Sequence, residues 1–251
     1  MPGAPNVQMV RFPKLDSTHL QARRELEAGV LVGPTLLVAG EQSGGVGRFG
    51  RPWSSPVGGL WCTLAWPLEA VGGATRPLLH ESLGLRLGLA CTDFVRALVP
   101  QGHTVHLKWP NDVLLSHRKV LGLLSTFHPG ASPWLLVGVG LNANMSVAEL
   151  FEDVQTTATT LLTETGRPID LPAAARQLLD HLLPVLADPA RAISADELAR
   201  ARVLLANLDH QVQVSLPDGR KTTAVLKGLT AEGRALISRE GEEMEVTAAV
   251  Q

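Results

Sequence analysis

Residues Glu41-Gln42-Ser43-Gly44-Gly45-Val46-Gly47-Arg48-Phe49-Gly50-Arg51-Pro52-Trp53 form the stretch with the most chemistry in it. Glycines at 44, 45, 47 and 50 are poor company for a helix or strand interior, so this is a loop. Glycines let backbone N–H groups approach a ligand closely, and Arg48 and Arg51 add positive charge. That combination suits a phosphate or a carboxylate. No Gly-Lys-Ser/Thr ends the loop, and no Gly-x-Gly-x-x-Gly opens a helix. It is therefore neither a P-loop nor a dinucleotide fingerprint, and a plain surface loop has the same composition. A second element, Lys108-Trp109-Pro110-Asn111-Asp112, stops a strand in a turn. Asp112 at the strand edge suits Mg²⁺ or a ribose hydroxyl; an Asx-stabilised hairpin with Trp109 as core filler is the plainer alternative. In Arg118-Lys119-Val120-Leu121-Gly122, an ammonium stands at the mouth of a sheet and Gly122 leaves room beside it. A hairpin with a solvated lysine fits equally. Lastly, Gly138-Val139-Gly140-Leu141-Asn142-Ala143-Asn144 places glycines inside an apolar strand and amides at its end, or is simply a bulged buried strand.

The elements that position these residues follow from pattern. A helix begins at Asp16-Ser17-Thr18, where Thr18 and Gln21 fit a capping box, and stops at Gly29. Strands are expected at 35–39, 60–66, 105–109, 112–115, 120–127 and 134–141. A long amphipathic helix is expected at 76–98, and helices at 156–165, 172–187 and 195–206. Beyond residue 207 come short alternating strands, 211–216, 222–229, 235–238 and 243–247, separated by Asp-Gly and Glu-Gly turns. That spacing is that of a small β-barrel or sandwich. The expected organisation is a mixed α/β domain over 1–206 and a small domain over 207–251.

Composition limits the rest. The chain has 251 residues, 45% hydrophobic and 18% charged, with a formal net charge of -2. Neither end carries a run of like charge, so no nucleic-acid tail or polybasic anchor is expected. Cys62 and Cys91 are isolated among apolar neighbours, which makes neither a disulfide framework nor a zinc site. No signal peptide or membrane span is expected, and a cytoplasmic protein is.

Taken in order, Asp-Ser-Thr, Gln-x-x-Gly-x-Gly-Arg-x-Gly-Arg-x-Trp-x-Ser, Lys-Trp-Pro-Asn-Asp, Arg-Lys-x-x-Gly-Leu-Leu and Gly-x-Gly-Leu-Asn resemble the biotin–protein ligase family. The resemblance covers residues 15–145, and the terminal small domain has the place of that family's SH3-like barrel. It implies an α+β fold: a mixed β-sheet with flanking helices, like a class II aminoacyl-tRNA synthetase, plus the barrel. It also implies biotin and ATP as substrates, Mg²⁺ as cofactor, and the biotin carboxyl carrier domain of a carboxylase as acceptor. Ser17, Thr18 and Gln42 match biotin-contacting positions. Gly45, Val46, Gly47, Arg48, Gly50 and Arg51 match the loop over biotin and the adenylate. As the catalytic pair, Arg48 would hold the phosphate and anhydride oxygens, and Lys119 matches the lysine that contacts the biotin carboxylate and α-phosphate. Trp53 matches a residue stacking near the adenylate or buttressing the loop. Lys108, Asn111 and Asp112 fall in the nucleotide and metal region, with Asp112 placing Mg²⁺. Gly122 and Gly140 would let biotin lie on the sheet, and Asn142 would reach the adenylate or its metal.

Two positions depart from the family: Val46 where Arg is common, and His19 where Asn is common. With the first motif starting at Asp16, a DNA-binding module ahead of it is not expected, nor is nucleic acid as a partner. Monomer and homodimer both remain open. A lipoate–protein ligase would share the acyl-adenylate logic but not this Lys-Trp-Pro-Asn-Asp element. A biotin-sensing pseudoenzyme is favoured only by Val46 and His19.

Overall fold

The computed structural model describes residues 6–68, 79–215 and 221–247. The chain divides into two compact units, Met1–Ala74 with Arg118–Arg176, and Thr75–His117 with Gln177–Gln251. In the first unit the strands are β1 (Gln8–Phe12), β2 (Thr35–Ala39), β3 (Leu60–Pro67), β6 (Arg118–His128) and β7 (Trp134–Leu141). The second unit contributes β4 (Val105–Lys108) and β5 (Asp112–Leu115), and Ser116-His117 lead from β5 into β6. The first-unit order is β1-β2-β3-β7-β6. Only β1 and β2 run parallel there; β2–β3, β3–β7 and β7–β6 are antiparallel, which makes the sheet mixed. β3 and β7 lie at its centre and are buried on both faces. That is why they read as unbroken apolar runs rather than as alternation. Helix α1 (Thr18–Glu27) packs on β2, β3 and β7, with Ala22 seated against Leu37, Ala65 and Leu136.

The second unit is built around α2 (Leu83–Leu98), the β4–β5 hairpin, α5 (Ala195–Leu204) and a four-stranded antiparallel sheet. That sheet has the order β11-β10-β9-β8, from β8 (Gln211–Ser215), β9 (Lys221–Leu229), β10 (Ala235–Arg239) and β11 (Glu242–Val246). It is the small SH3-like element expected after residue 207. Val212, Val214, Leu226 and Ile237 point inward onto Leu85, Leu89 and Leu204. The short α3 (Leu161–Thr165) belongs to the first unit, and α4 (Leu171–Leu186) runs across the division. No described helix is long and apolar enough to cross a membrane.

Several local expectations are corrected. The N-cap of α1 is Ser17, whose hydroxyl accepts from Leu20 N; Gln21 turns instead to Glu25 and Arg24, so no capping box forms. α2 starts at Leu83, not 76, and residues 69–78 lie outside the described part. Residues 156–160 are not helical, because Ala158 pairs with Lys119 as a β-bridge. Trp109 falls past the end of β4. β1 was not foreseen.

Arg86 on α2 is the largest buried charge among the described residues, at 1% exposure. Its guanidinium donates to the carbonyls of Val185 (3.2 Å), Asp188 and Arg191 (both 3.0 Å), at and after the end of α4. Val185 O is one of the last-turn carbonyls that a helix leaves without internal partners, and a cation complements the dipole there; the other two acceptors lie in the segment after the helix. Replacing Arg86 with Met keeps the bulk and takes the guanidinium from the Val185 and Arg191 carbonyls, while Asp188 O keeps the Arg191 N–H (3.3 Å). The expected cost is on the order of 3 kcal/mol, to be read as a lower midpoint in urea. A midpoint unchanged from wild type would show that water satisfies the carbonyls unaided.

Candidate active site

The first unit gathers most of the expected site residues into one connected network. Ser17 and Thr18 open α1, and both are buried. Thr18 donates twice to Gln42 Oε1, from its backbone N (2.7 Å) and from Oγ1 (3.1 Å). A hydroxyl has one proton to give, so Thr63 Oγ1, 2.9 Å away, is the donor in its bond to Thr18. Gln42 Nε2 donates to Ser55 Oγ (2.8 Å), and Ser55 Oγ donates to the Trp53 carbonyl (3.2 Å). Thr63 was not among the residues read from sequence, and Ser55 closed the loop motif there without a role of its own. Thr63 carried one signal, a lone hydroxyl inside the apolar run of β3, where it is fully buried and needs a partner.

The glycine–arginine stretch is a compact hairpin. Trp53 N donates to Gly45 O and Gly47 N to Arg51 O, both at 2.8 Å, and Val46 bridges Pro52. A Cβ at Gly45 would stand 2.5 Å from the Trp53 carbonyl, so this turn admits glycine alone. The tip, Arg48–Gly50, is a single 3₁₀ turn in which Phe49 takes φ 59° and Gly50 φ 70°. A left-handed phenylalanine costs about 1–2 kcal/mol. Phe49 is also exposed, with the Arg48 guanidinium 5.1 Å from its ring centre. Arg51 closes the turn by donating its N–H to Arg48 O (3.3 Å).

Trp53 then lies on the sheet. Gly122 on β6 and Gly140 on β7 are cross-strand partners. A Cβ at Gly122 would meet the indole at 2.8 Å, and one at Gly140 would meet its Nε1 at 2.5 Å. The room read from these glycines as a bed for biotin is thus filled by the Trp53 ring. On the ring sits the Lys119 ammonium, 4.7 Å from its centre, a cation–π contact that orients the charge. Gly140→Ala is therefore expected to lift the indole and free the ammonium. About tenfold slower turnover is expected, a fraction of what a 1 Å misplacement can cost. A rate equal to wild type would mean that the ring's seat does not matter.

Asn142, just past β7, is 3% exposed. It donates Nδ2 to Thr159 O (3.0 Å), and its backbone N donates to Val120 O (2.9 Å). Its Oδ1 is buried and finds no hydrogen-bond partner among the described residues. Next to Thr18, His19 is also buried, with Nε2 2.9 Å from Thr126 Oγ1. Burial, with help from His128 and Arg23, pushes its pKa down to about 4.

Lys108, Asn111 and Asp112 belong to the second unit. Lys108 and Asp112 face each other in the β4–β5 register, across the turn that contains the cis Trp109–Pro110 bond. Trp109 is core filler: it is buried and donates Nε1 to Gly233 O (2.8 Å), which ties the hairpin to the small sheet.

The sequence model of the biotin/lipoate A/B protein ligase family matches residues 12–144, just over half of the chain. The chain belongs to this family. Among relatives of this ligase family, the biotin–[acetyl-CoA-carboxylase] ligase of Mycobacterium tuberculosis is 30% identical over 240 residues, covering 92% of this chain and 84% of that protein. The bifunctional ligase/repressor BirA of Salmonella typhimurium is 29% identical over 236 residues, covering 92% and 69%. The biotin protein ligase of Aquifex aeolicus, solved in complex with biotin and ATP, superposes with a TM-score of 0.78 at 27% identity, covering 97% of each chain.

Proposed function

We propose that this ligase joins biotin to a lysine of a carboxylase's biotin carrier domain, in two steps at the expense of ATP. In the first, a biotin carboxylate oxygen attacks the α-phosphorus of ATP. The bond to the β-phosphate oxygen breaks, giving biotinyl-5′-adenylate and pyrophosphate. In the second, the acceptor's neutral ε-amine attacks the anhydride carbonyl. The carbon–oxygen bond to phosphate breaks, AMP leaves and the amine loses a proton.

What carries the reading is the joining, in one unit, of a buried hydroxyl–amide network to an arginine hairpin and a lysine held on an indole. A cyclic urea presents two N–H donors and one acceptor, and Ser17, Thr18 and Gln42 offer the matching set. Arg48 is a planar donor fork for phosphate oxygens. Lys119 is a fixed cation for charge growing on the α-phosphate. Trp53 walls the hairpin against the sheet and helps exclude water from the anhydride. Asn111 and Lys108 would meet the nucleotide. Asn142 would reach the adenylate through its buried Oδ1.

Among the described residues no cluster of three or more metal-ligating side chains exists, so a cage made by protein alone is not at hand. A single hard carboxylate, Asp112, suits an ion that keeps most of its waters and phosphate oxygens. Mg²⁺ bound there would supply charge neutralisation to the phosphates. The division into a catalytic domain, 1–206, and an SH3-like domain, 207–251, and residence in the cytoplasm belong to the same proposal.

The family name spans biotin and lipoate, and radiolabelled pyrophosphate exchange with each acid in turn separates them. Exchange that requires biotin and is unmoved by lipoate is expected. Exchange driven by lipoate would overturn the choice of substrate.

A further inference from the structure

Lys119 is held by its backbone as well as by Trp53. Its N–H donates to Thr157 O (2.8 Å), and its carbonyl accepts from Thr159 N (2.9 Å). Residues 157–159 thus run beside the start of β6 as a one-bridge parallel strand. The bridge is held from two further points. Asn142 Nδ2 bonds Thr159 O. Glu164, on α3, accepts from Thr159 Oγ1 at 2.5 Å and from the guanidinium of Arg118, the residue before Lys119, at 2.6 Å. The Glu164 side chain is 10% exposed, so its bond to Arg118 is less screened than a surface pair would be.

One carboxylate therefore ties both the residue preceding Lys119 and the segment that pairs with Lys119. We infer that Glu164 is a positioning residue for Lys119: it fixes where the ammonium stands and touches no substrate itself. The inference rests on the reading of Lys119 as the catalytic cation. Without Glu164, Arg118 turns to solvent and the Thr159 hydroxyl loses its acceptor. The bridge beside Lys119 then loosens, and the ammonium no longer has one place. Because biotin's head is held elsewhere, at Thr18 and Gln42, the loss falls on kcat rather than on capture of biotin.

The test is a double-mutant cycle of Glu164→Ala and Lys119→Ala in the full chain. Adenylate formation is followed by radiolabelled pyrophosphate exchange over hours, so that slow variants are measurable. Alone, Glu164→Ala is expected to lower kcat about ten- to thirtyfold, within the range expected of misplacement, with KM for biotin changed less than about twofold. In the Lys119→Ala background the same change is expected to alter the residual rate by less than about twofold, since residues acting through one another are not additive. Glu164→Gln keeps an acceptor oxygen for both partners and is expected to recover most of the rate. It also covers the case in which the alanine variant does not fold.

An equal loss from Glu164→Ala in both backgrounds overturns the inference and leaves Lys119's role standing. So does a raised biotin KM at unchanged kcat. A Lys119→Ala variant with wild-type exchange overturns the catalytic assignment itself, and the inference with it.

Discussion

Lys119→Ala slows biotinyl-adenylate formation by about a hundred- to a thousandfold, the loss expected when one preorganised charge is taken from a developing oxyanion. The chain holds this lysine at three places. Its backbone is paired to Thr157 and Thr159, and its ammonium rests on the Trp53 ring. Little reorganisation is left to do when phosphate charge develops, and that is the condition under which one cation matters most. The change should appear in kcat and in kcat/KM alike, with KM for biotin nearly constant, because the interaction strengthens only in the transition state. Rapid-quench measurement of pyrophosphate release checks this. A loss under tenfold, or one confined to KM, would mean that Lys119 only helps bind.

Acidification is expected to cost the protein about 2 kcal/mol near pH 5 and about 3 kcal/mol near pH 4 through His19 alone. The sign follows from its pKa, about 4 when folded against 6.5 for an exposed imidazole, lowered first by burial and then by His128 and Arg23. Above 6.5 neither state is protonated, and His19 contributes no pH dependence. As pH falls through 6.5 the unfolded chain takes up a proton that the folded one refuses, so stability drops. The drop is complete once pH passes below 4. Asp16 and Glu197 act in a lower window. Their arginine partners, Arg24 and Arg191, hold both carboxyls down to about 2, and that support is lost only as pH falls from about 4 toward 2. His128 and His106 are also shifted down by burial, so His19 must be isolated by difference. Urea midpoints of wild type and His19→Asn from pH 7 to 4.5 provide that difference. Wild type should fall more steeply; parallel curves would place the acid sensitivity elsewhere.

Much of this was open to view in the sequence, for identifiable reasons. β2, β5 and β7 were read to the residue, because each is a short β-branched or leucine-rich run between turn signals. The hairpin at 45–53 was recognisable as a special loop through its glycines, and Gly45 does serve a contact no side chain would survive. What stayed hidden depends on distance along the chain. Thr63 reaches Thr18 across 45 residues and Glu164 reaches Arg118 across 46; no local period encodes such pairs. The two sheet glycines mark a close approach in the sequence, and the Trp53 ring, distant along the chain, lies against both. β1 escaped because it opens on Gln8 and Arg11 breaks its short apolar run, and β1 is bonded on one side only. The stretch at 156–160 has polar threonines that suit a helix start equally well. Its pairing with Lys119 decides the matter, and that is a tertiary fact.

Transfer of biotin onto a protein lysine is read from the intact mass of the acceptor. A biotin carrier domain is incubated with the protein, biotin, ATP and Mg²⁺, alongside reactions lacking ATP or biotin. A gain of one biotinyl group is expected in the complete reaction only, lost when the carrier's acceptor lysine is replaced by arginine. An unmodified carrier, in a reaction where the protein still binds biotin, would contradict it and leave a protein that senses biotin without transferring it.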